Sequence, residues 1–219
     1  MSKSRDVVAQ RDPDPHLPWA EFPKAVMKPG RFVYRAAKRD KGPWWFCRCG
    51  ECRFDLPPPR GTCYTGTDEV SGILESIGMD WCAGEPAIGL IPKLVKERVV
   101  HAYELPKSVN AANLSSRRAV GFKVTNELAT MTPYGVPQKY AQVFDQTRGK
   151  RRAHQFLGIR FRTRFDTGAI SHGLALFDDE GERSWPSSAR DIDEELLAKL
   201  RALGVFVEEP PGLAKPDDE

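Results

Sequence analysis

The sequence contains no long apolar run, although it has 219 residues. No stretch approaches the roughly 20 apolar residues that a membrane-spanning helix needs. The start, MSKSRDVVAQRDPDPH, is charged and lacks the apolar core of a secretory signal. We therefore expect a cytoplasmic protein without a membrane partner, built as one domain with extensions.

The sequence also has little net charge. Its 33 basic residues nearly balance 30 acidic ones, which leaves a formal net charge of +3. A charge this small does not predict direct binding of nucleic acid. The basic cluster RGKRR, 148–152, either solvates a loop, the commoner role of such clusters, or binds phosphate backbones.

Several common catalytic signatures are missing. There is no glycine-rich phosphate loop of either common type and no GxSxG motif. The histidines His101, His154 and His172 do not have the spacing of metal ligands, so we expect structural or surface roles for them. The sequence thus argues against serine hydrolysis and against a histidine metal centre.

Cysteines are few but crowded. Four of the five lie between Cys47 and Cys63. This odd count, without a secretory signal, favours reduced thiols over a disulfide framework. The alternative is a tetrahedral zinc site with four thiolates, from Cys47, Cys49, Cys52 and Cys63. The spacing supports zinc only in part, because a single pair, Cys49 and Cys52, shows the CxxC pattern.

Short patterns predict the regular elements. RFVYRAAKR, RGTCYTG, RVVHAYEL and LALF are predicted strands, and VPQKYAQVFDQ is a predicted helix. TDEVSGILESIG predicts a helix with Thr67 or Asp68 as N-cap and Gly78 as its stop. GIRFRTRFD, 158–166, alternates as a strand that turns Thr163 toward its apolar face.

The order of these elements predicts an α+β fold, because strands and helices do not alternate regularly. A last helix, from about Asp191 to Leu203, carries an apolar stripe and ends at Gly204. It either covers the edge of the core, which we favour, or forms the contact of a homodimer. The stripe consists of Ile192, Leu196, Leu197, Leu200 and Leu203.

Five dispersed residues carry the functional prediction. They are Arg35, Arg53, Tyr64, Glu75 and Thr163. Each alone is explained by an ordinary structural role, such as an ion pair, a core tyrosine or a strand threonine. Taken in order, with their flanking segments, they resemble the RES-domain family over about residues 30 to 178. The segments are VYRAAKRDKGPWWF, RFDLPPPRGTCYTG, VSGILES, LSSRRAVGFKVTNEL with YGVPQKYAQVF, and GIRFRTRFDTGAISHGLALF.

The resemblance implies a fold, a substrate and a partner. It implies a single ADP-ribosyltransferase-like domain with a mixed β-sheet core flanked by helices, and an enzyme that consumes NAD+ as substrate without a required cofactor. The family's toxins are usually neutralised by an antitoxin with an Xre-like region. The position that holds serine in the RES-domain family is occupied by Thr163 in this sequence. Threonine keeps the hydroxyl group but adds a methyl group.

The resemblance also assigns roles to residues. It implies catalytic roles for Glu75, Arg35 and Thr163, and substrate binding by Arg53, Tyr64 and Arg35. Arg164 adds a guanidinium suited to an anion clamp. The reaction expected is cleavage of the nicotinamide–ribose bond, with water or phosphate as acceptor. The alternatives are ADP-ribosyl transfer to a macromolecule and a non-enzymatic nucleic-acid-binding module.

The predicted boundaries divide the chain into four parts. Residues 1–26 form a polar N-terminal extension, whose first 18 or so residues are expected to be a tail, and residues 27–178 form the RES-like catalytic domain. Residues 179–207 are a C-terminal helix and strand that pack on the domain. Residues 208–219 are an acidic tail that is expected to be disordered.

Overall fold

The structure is a computed structural model that describes residues 10–83, 97–165 and 171–205, apart from the side chains of residues 79–83. Its strands are β1 (Lys24–Met27), β2 (Phe32–Lys38), β3 (Trp45–Phe46), β4 (Arg60–Gly66), β5 (Arg98–Glu104), β6 (Val109–Asn113), β7 (Gly158–Phe161), β8 (Gly173–Asp179), β9 (Gly181–Glu182) and β10 (Ser188–Asp191). The α-helices described are α1 (Glu69–Ala83), α2 (Gly135–Gln146) and α3 (Glu194–Ala202).

Eight of these strands form one mixed sheet in the order β1-β6-β7-β8-β4-β2-β5-β10, and β3 pairs with β9 separately. Within the described part of the chain, the β6–β7 pair is parallel and the other neighbours are antiparallel. The predicted strands appear as β2, β4, β5 and β8, and the predicted central helix as α2. The mixed sheet with packed helices confirms the predicted α+β class.

The two faces of the sheet bury different clusters, because successive strand residues point to opposite sides. On β4, Cys63 belongs to a cluster with Trp44 and Phe46, whereas Tyr64 packs against the opposite cluster. That opposite face holds an aromatic cluster under α2 and an aliphatic cluster under α1 and α3. The three helices therefore share one face of the sheet.

The sheet divides between its central neighbours β2 and β4. Among the described residues these strands pair at Tyr34 and Gly66 alone. By contrast, β2 pairs with β5, and β4 with β8, over their full lengths. The two half-sheets thus separate beyond this point, and the gap between them opens into a cleft.

Helix α1 lies against this junction because its ends and contacts are specified locally. Asp68 is the N-cap: its Oδ1 accepts a hydrogen bond from the Ser71 amide at 2.8 Å, and Ser71 Oγ accepts from the Asp68 amide at 3.2 Å. Gly72 permits close packing, since a Cβ there would lie 2.8 Å from the Tyr34 carbonyl oxygen. The sequence prediction of Asp68 as an alternative N-cap is confirmed.

Gly78 does not end α1, so the predicted stop was wrong. The helix continues to Ala83. The glycine instead makes room for the ring of Phe165, whose Cδ2 would lie 2.3 Å from a Cβ at this position. A glycine required for a tertiary contact cannot be distinguished from a helix stop by sequence alone.

Two other elements are shorter than predicted. Strand β7 ends at Phe161, before Thr163, and Asp166 lies outside the described residues. Helix α3 begins at Glu194, with Asp193 as N-cap accepting from the Leu196 amide at 3.1 Å. Leu203 was predicted to be part of the apolar stripe but is 52% exposed. The other stripe residues pack in or against the cluster under α1.

The described residues before β1 pack on the domain, unlike the tail expected for the first 18 or so residues. Gln10 is buried and its Nε2 donates to the Tyr140 hydroxyl at 2.8 Å. Trp19 and Phe22 lie in the aromatic cluster with Phe144. The polar composition of the segment concealed this packing because the buried amide is satisfied by a distant part of the chain. Residues 1–9 and 206–219 lie outside the described residues.

Candidate active site

A cavity of about 830 Å³ occupies the cleft between the half-sheets. Its size is in the range of sites that take a small molecule or cofactor. Strands β2, β3, β4, β5 and β9, helix α1 and four loop segments contribute to it. Its lining includes Arg35, Trp45, Cys52, Arg53, Tyr64, Gly72, Glu75, Tyr134 and Phe165.

Glu75 projects from α1 into this cavity. The residue is half-buried, but its Oε1 is fully buried and accepts no hydrogen bond from a described residue. Burial raises the pKa of Glu75 to about 7, against the opposing charges of Arg53 and Arg164, which lower it. The carboxyl group therefore changes charge near neutral pH, as is common for catalytic acids and bases.

Arg53 faces Glu75 from the loop before β4. It is 8% exposed, and its guanidinium lies 5.5 Å from the ring centre of Phe161 and 5.8 Å from that of Phe54. Its Nε is buried without a hydrogen-bond acceptor among the described residues. Burial lowers the pKa of Arg53. Two aromatic faces thus hold this cation at the cavity wall.

Arg35 bridges the cleft at its narrow end. Its Nη1 donates to Cys63 Sγ on β4 at 2.8 Å and to the Trp45 carbonyl oxygen at 3.2 Å. The side chain starts on β2, one residue beyond the Tyr34 pairing position. This contact places a second guanidinium on the cavity wall.

Tyr64 contributes its ring to the cavity, while its hydroxyl is engaged with the neighbouring loop. The hydroxyl accepts from the Phe54 amide at 2.7 Å and donates to Asp55 Oδ1 at 3.2 Å. Burial raises the pKa of Tyr64 well above its ordinary value. The tyrosine therefore fixes the loop that carries Arg53.

Replacing Tyr64 with phenylalanine is expected to lower the free energy of unfolding by about 1–3 kcal/mol, because two partners lose a hydrogen bond. Urea denaturation measures the change. Tyr34→Phe is the matched control, since the Tyr34 hydroxyl makes no hydrogen bond to a described residue. Equal stability of the two variants would contradict the assigned role of the Tyr64 hydroxyl.

Thr163 and Arg164 follow β7 and differ in their relation to the cavity. Thr163 is 3% exposed and is not among the residues that line the cavity. Arg164 donates from Nη2 to the Thr130 carbonyl oxygen at 2.8 Å, and its charge acts on Glu75. Of the six predicted site residues, the cavity wall thus brings together Arg35, Arg53, Tyr64 and Glu75.

The four cysteines of the predicted zinc alternative do not form one cluster. Cys63 is buried on β4 beneath Arg35. Cys47 and Cys49 instead lie together with the carboxylate of Asp55, with their donor atoms within 4.8 Å of one another. The sequence did not predict Asp55 as a member of this cluster, because an aspartate in a loop next to prolines has an ordinary role in turns.

Sequence reasoning also missed three aromatic residues of the cavity wall. They are Trp45, Tyr134 and Phe165. Trp45 is on the short strand β3, and Tyr134 immediately precedes α2. Their positions depend on how distant segments meet, so local patterns gave no signal for Trp45 or Tyr134. Phe165 lies in the alternating segment 158–166, two residues after Thr163 and so on the same side of the predicted strand.

The split mixed sheet, with its helices on one face, defines an α+β domain. A chain of the crystal structure of the M. tuberculosis MbcT–MbcA toxin–antitoxin complex is similar, with a TM-score of 0.54 and 14% sequence identity over 81% of this chain and 92% of that chain. This likeness confirms the predicted fold.

Comparison by sequence identifies no relative of this chain. Neither a protein-family model nor a curated protein matches the chain. Among the residues that the structure describes, no helix combines the length and apolar character needed to cross a bilayer.

Proposed function

We propose that this chain cleaves the nicotinamide–ribose bond of NAD+ and acts as the toxin of a bacterial toxin–antitoxin pair. One observation carries the proposal: a buried carboxylate, Glu75, faces the guanidinium of Arg53 in a cleft of cofactor size. The resemblance to RES-domain proteins supports the substrate. The similarity in fold to a chain of a toxin–antitoxin complex supports the biological role.

The charges of the cleft suit a dinucleotide. Arg53 and Arg35 are proposed to hold the pyrophosphate or adjoining ribose oxygens, because planar guanidinium groups make charge-assisted, paired hydrogen bonds with phosphate oxygens. Arg164 adds positive charge near the same carboxylate. Tyr64 and the aromatic wall of the cavity offer faces on which the ring systems of the substrate can stack.

The chemistry assigned to Glu75 is stabilisation of positive charge. When the bond between ribose and nicotinamide breaks, its electron pair goes to the ring nitrogen and neutral nicotinamide leaves. The ribose carbon becomes oxocarbenium-like, as in glycoside hydrolysis, and an ionised Glu75 stabilises it electrostatically. Water or phosphate then bonds to this carbon. If water attacks, its proton passes to Glu75 or to solvent.

Thr163 is proposed to position its neighbours in the chain. The resemblance instead implied that its hydroxyl contacts the substrate directly. The residue is 3% exposed and is not among those that line the cavity. It directly precedes Arg164 and Phe165, which face Glu75 and the cavity respectively. Burial of the threonine side chain would anchor the segment from which both neighbours act.

An antitoxin partner follows from the same proposal. An enzyme that depletes NAD+ would stop growth, so its own cell must restrain it. The fold similarity to a chain of a toxin–antitoxin complex supports a protein partner of this kind. That the partner contains an Xre-like region rests on the RES-domain resemblance.

The nucleic-acid alternative receives no support from the basic cluster at 148–152. Arg148 Nη1 is engaged with the Asp145 carbonyl oxygen at 2.5 Å and with His154 Nδ1 at 2.9 Å. These contacts are at the end of α2 and give Arg148, one of the four basic residues in the cluster, a structural role. We therefore propose no nucleic-acid ligand.

Product analysis tests the proposed reaction. Purified protein is incubated with adenine-labelled NAD+, with and without inorganic phosphate, and small molecules are identified by mass spectrometry. We expect free nicotinamide, with ADP-ribose from water or its phosphorylated form from phosphate. Label recovered on a macromolecule would instead favour ADP-ribosyl transfer. Intact NAD+ under all these conditions would overturn the proposal.

A further inference from the structure

The loop 47–55 gathers thiols and a carboxylate at the edge of the cavity. The donor atoms of Cys47, Cys49 and Asp55 lie within 4.8 Å of one another. Cys52 lies in the same loop, and its backbone amide donates to Asp55 Oδ2 at 3.1 Å. We propose that these four side chains bind one zinc ion, which holds the loop in place.

The donor set is the reason for zinc. Three sulfur atoms and one carboxylate match the tetrahedral sulfur-rich coordination that Zn²⁺ takes in structural sites, with Zn–S distances of about 2.3 Å. Magnesium and calcium prefer oxygen donors throughout. Four protein ligands fill a tetrahedron and leave no position for substrate. The ion therefore supports the loop and takes no part in bond cleavage.

Contacts from outside the cluster already shape the loop for such an ion. Asp55 Oδ2 accepts from the Gly50 amide at 3.0 Å, and Oδ1 accepts from the Tyr64 hydroxyl at 3.2 Å. From α2, Gln138 Nε2 donates to the carbonyl oxygens of Gly50 at 2.8 Å and Cys52 at 3.0 Å. Hydrogen-bonded ligands of this kind are typical of metal sites in which outer contacts orient the inner ones.

This ligand set differs from the four thiolates suggested by the sequence. Asp55 replaces Cys63, whose sulfur accepts from Arg35 at 2.8 Å on the other side of β4. The loop also carries Arg53, and Cys52 itself lines the cavity. The zinc site thus couples the order of the loop to the position of a substrate-facing arginine, and it stands independently of the reaction proposed above.

Metal content tests the proposal on the full chain. We expect protein purified without chelator to contain about one zinc per chain. After removal of zinc, added Co²⁺ should give sulfur-to-cobalt charge transfer and the visible bands of tetrahedral cobalt. Cys49→Ser should lose both signals. Cys63→Ser is the matched control and should keep them, because Cys63 lies outside the cluster.

Three results would overturn the proposal. The first is wild-type protein with reduced thiols that contains no zinc and gives no tetrahedral cobalt spectrum, a measurement that does not depend on a variant folding. The second is a disulfide between Cys49 and Cys52, detected by alkylation and mass spectrometry under reducing purification. The third is loss of metal from Cys63→Ser with retention by Cys49→Ser.

Discussion

Glu75→Gln is expected to lower kcat/KM for NAD+ cleavage by about 10²–10³-fold, the cost of losing one preorganised electrostatic contact to a transition state. Glutamine keeps the size of the side chain but cannot carry the charge that stabilises the ribose carbon. Nicotinamide release measures the rate. Glu104→Gln, which changes an exposed carboxylate at the end of β5, is the matched control and should retain the wild-type rate.

The same substitution should stabilise the fold at alkaline pH. Burial raises the pKa of Glu75 from 4.5 to about 7 in the folded chain, so the folded state holds a proton that the unfolded state has lost between these values. Stability therefore falls as pH rises through this window, by about 1.4 kcal/mol per unit and about 3 kcal/mol in all. The Glu75→Gln variant has no carboxyl group to ionise at this position, so its stability should not fall in this way.

Urea denaturation at about pH 4 and about pH 8 tests the sign, since the linkage acts between the two pKa values. The variant and wild type should be close in stability at the lower pH, and the variant should be more stable at the higher pH. A variant that is inactive and less stable at both pH values would show that Glu75 is a structural residue. A variant with undiminished turnover would remove Glu75 from the mechanism.

Arg53→Gln is expected to raise KM for NAD+ by about 10–100-fold, as removal of a charge-assisted contact to phosphate costs about 1.5–3 kcal/mol. It should also move the pH dependence of activity. The charge of Arg53 lowers the pKa of Glu75, so its removal shifts the rise in kcat/KM from about pH 7 to higher pH. Measurement of kcat/KM across pH reports both effects.

Two further variants distinguish the effect of the positive charge at position 53 from the effect of the planar guanidinium. Arg53→Lys keeps the positive charge but lacks the planar pair of donors. Its pH dependence should therefore be closer to wild type than that of Arg53→Gln, while its KM stays raised. Arg118→Gln alters an exposed arginine and should match wild type in both properties. A raised KM in Arg53→Gln with an unmoved pH profile would contradict the electrostatic link between Arg53 and Glu75.

Local chemistry made several features predictable. The predicted strands RFVYRAAKR and RGTCYTG correspond to β2 and β4. Asp68 and Ser71 begin α1 through hydrogen bonds within one turn. Such signals act over a few residues and are therefore legible in the sequence.

The predictions that were wrong concern features that depend on contacts with residues far away in the chain. Gly78 was assigned as a helix stop, but it accommodates Phe165 from a segment far along the chain. Thr163 was placed on a strand that ends at Phe161. The cysteine cluster gains Asp55 in place of Cys63, since β4 carries Cys63 to the opposite side of the sheet.

The sequence by itself determined the main strands and helices, the start of α1, and the residue types available for binding an anion and stabilising a cation. Tertiary structure decided that β2 and β4 pair at Tyr34 and Gly66 and then separate. This separation creates the cleft, and burial inside it raises the pKa of Glu75. Strand divergence and burial arise from contacts between residues far apart in the chain, which local periodicity does not encode.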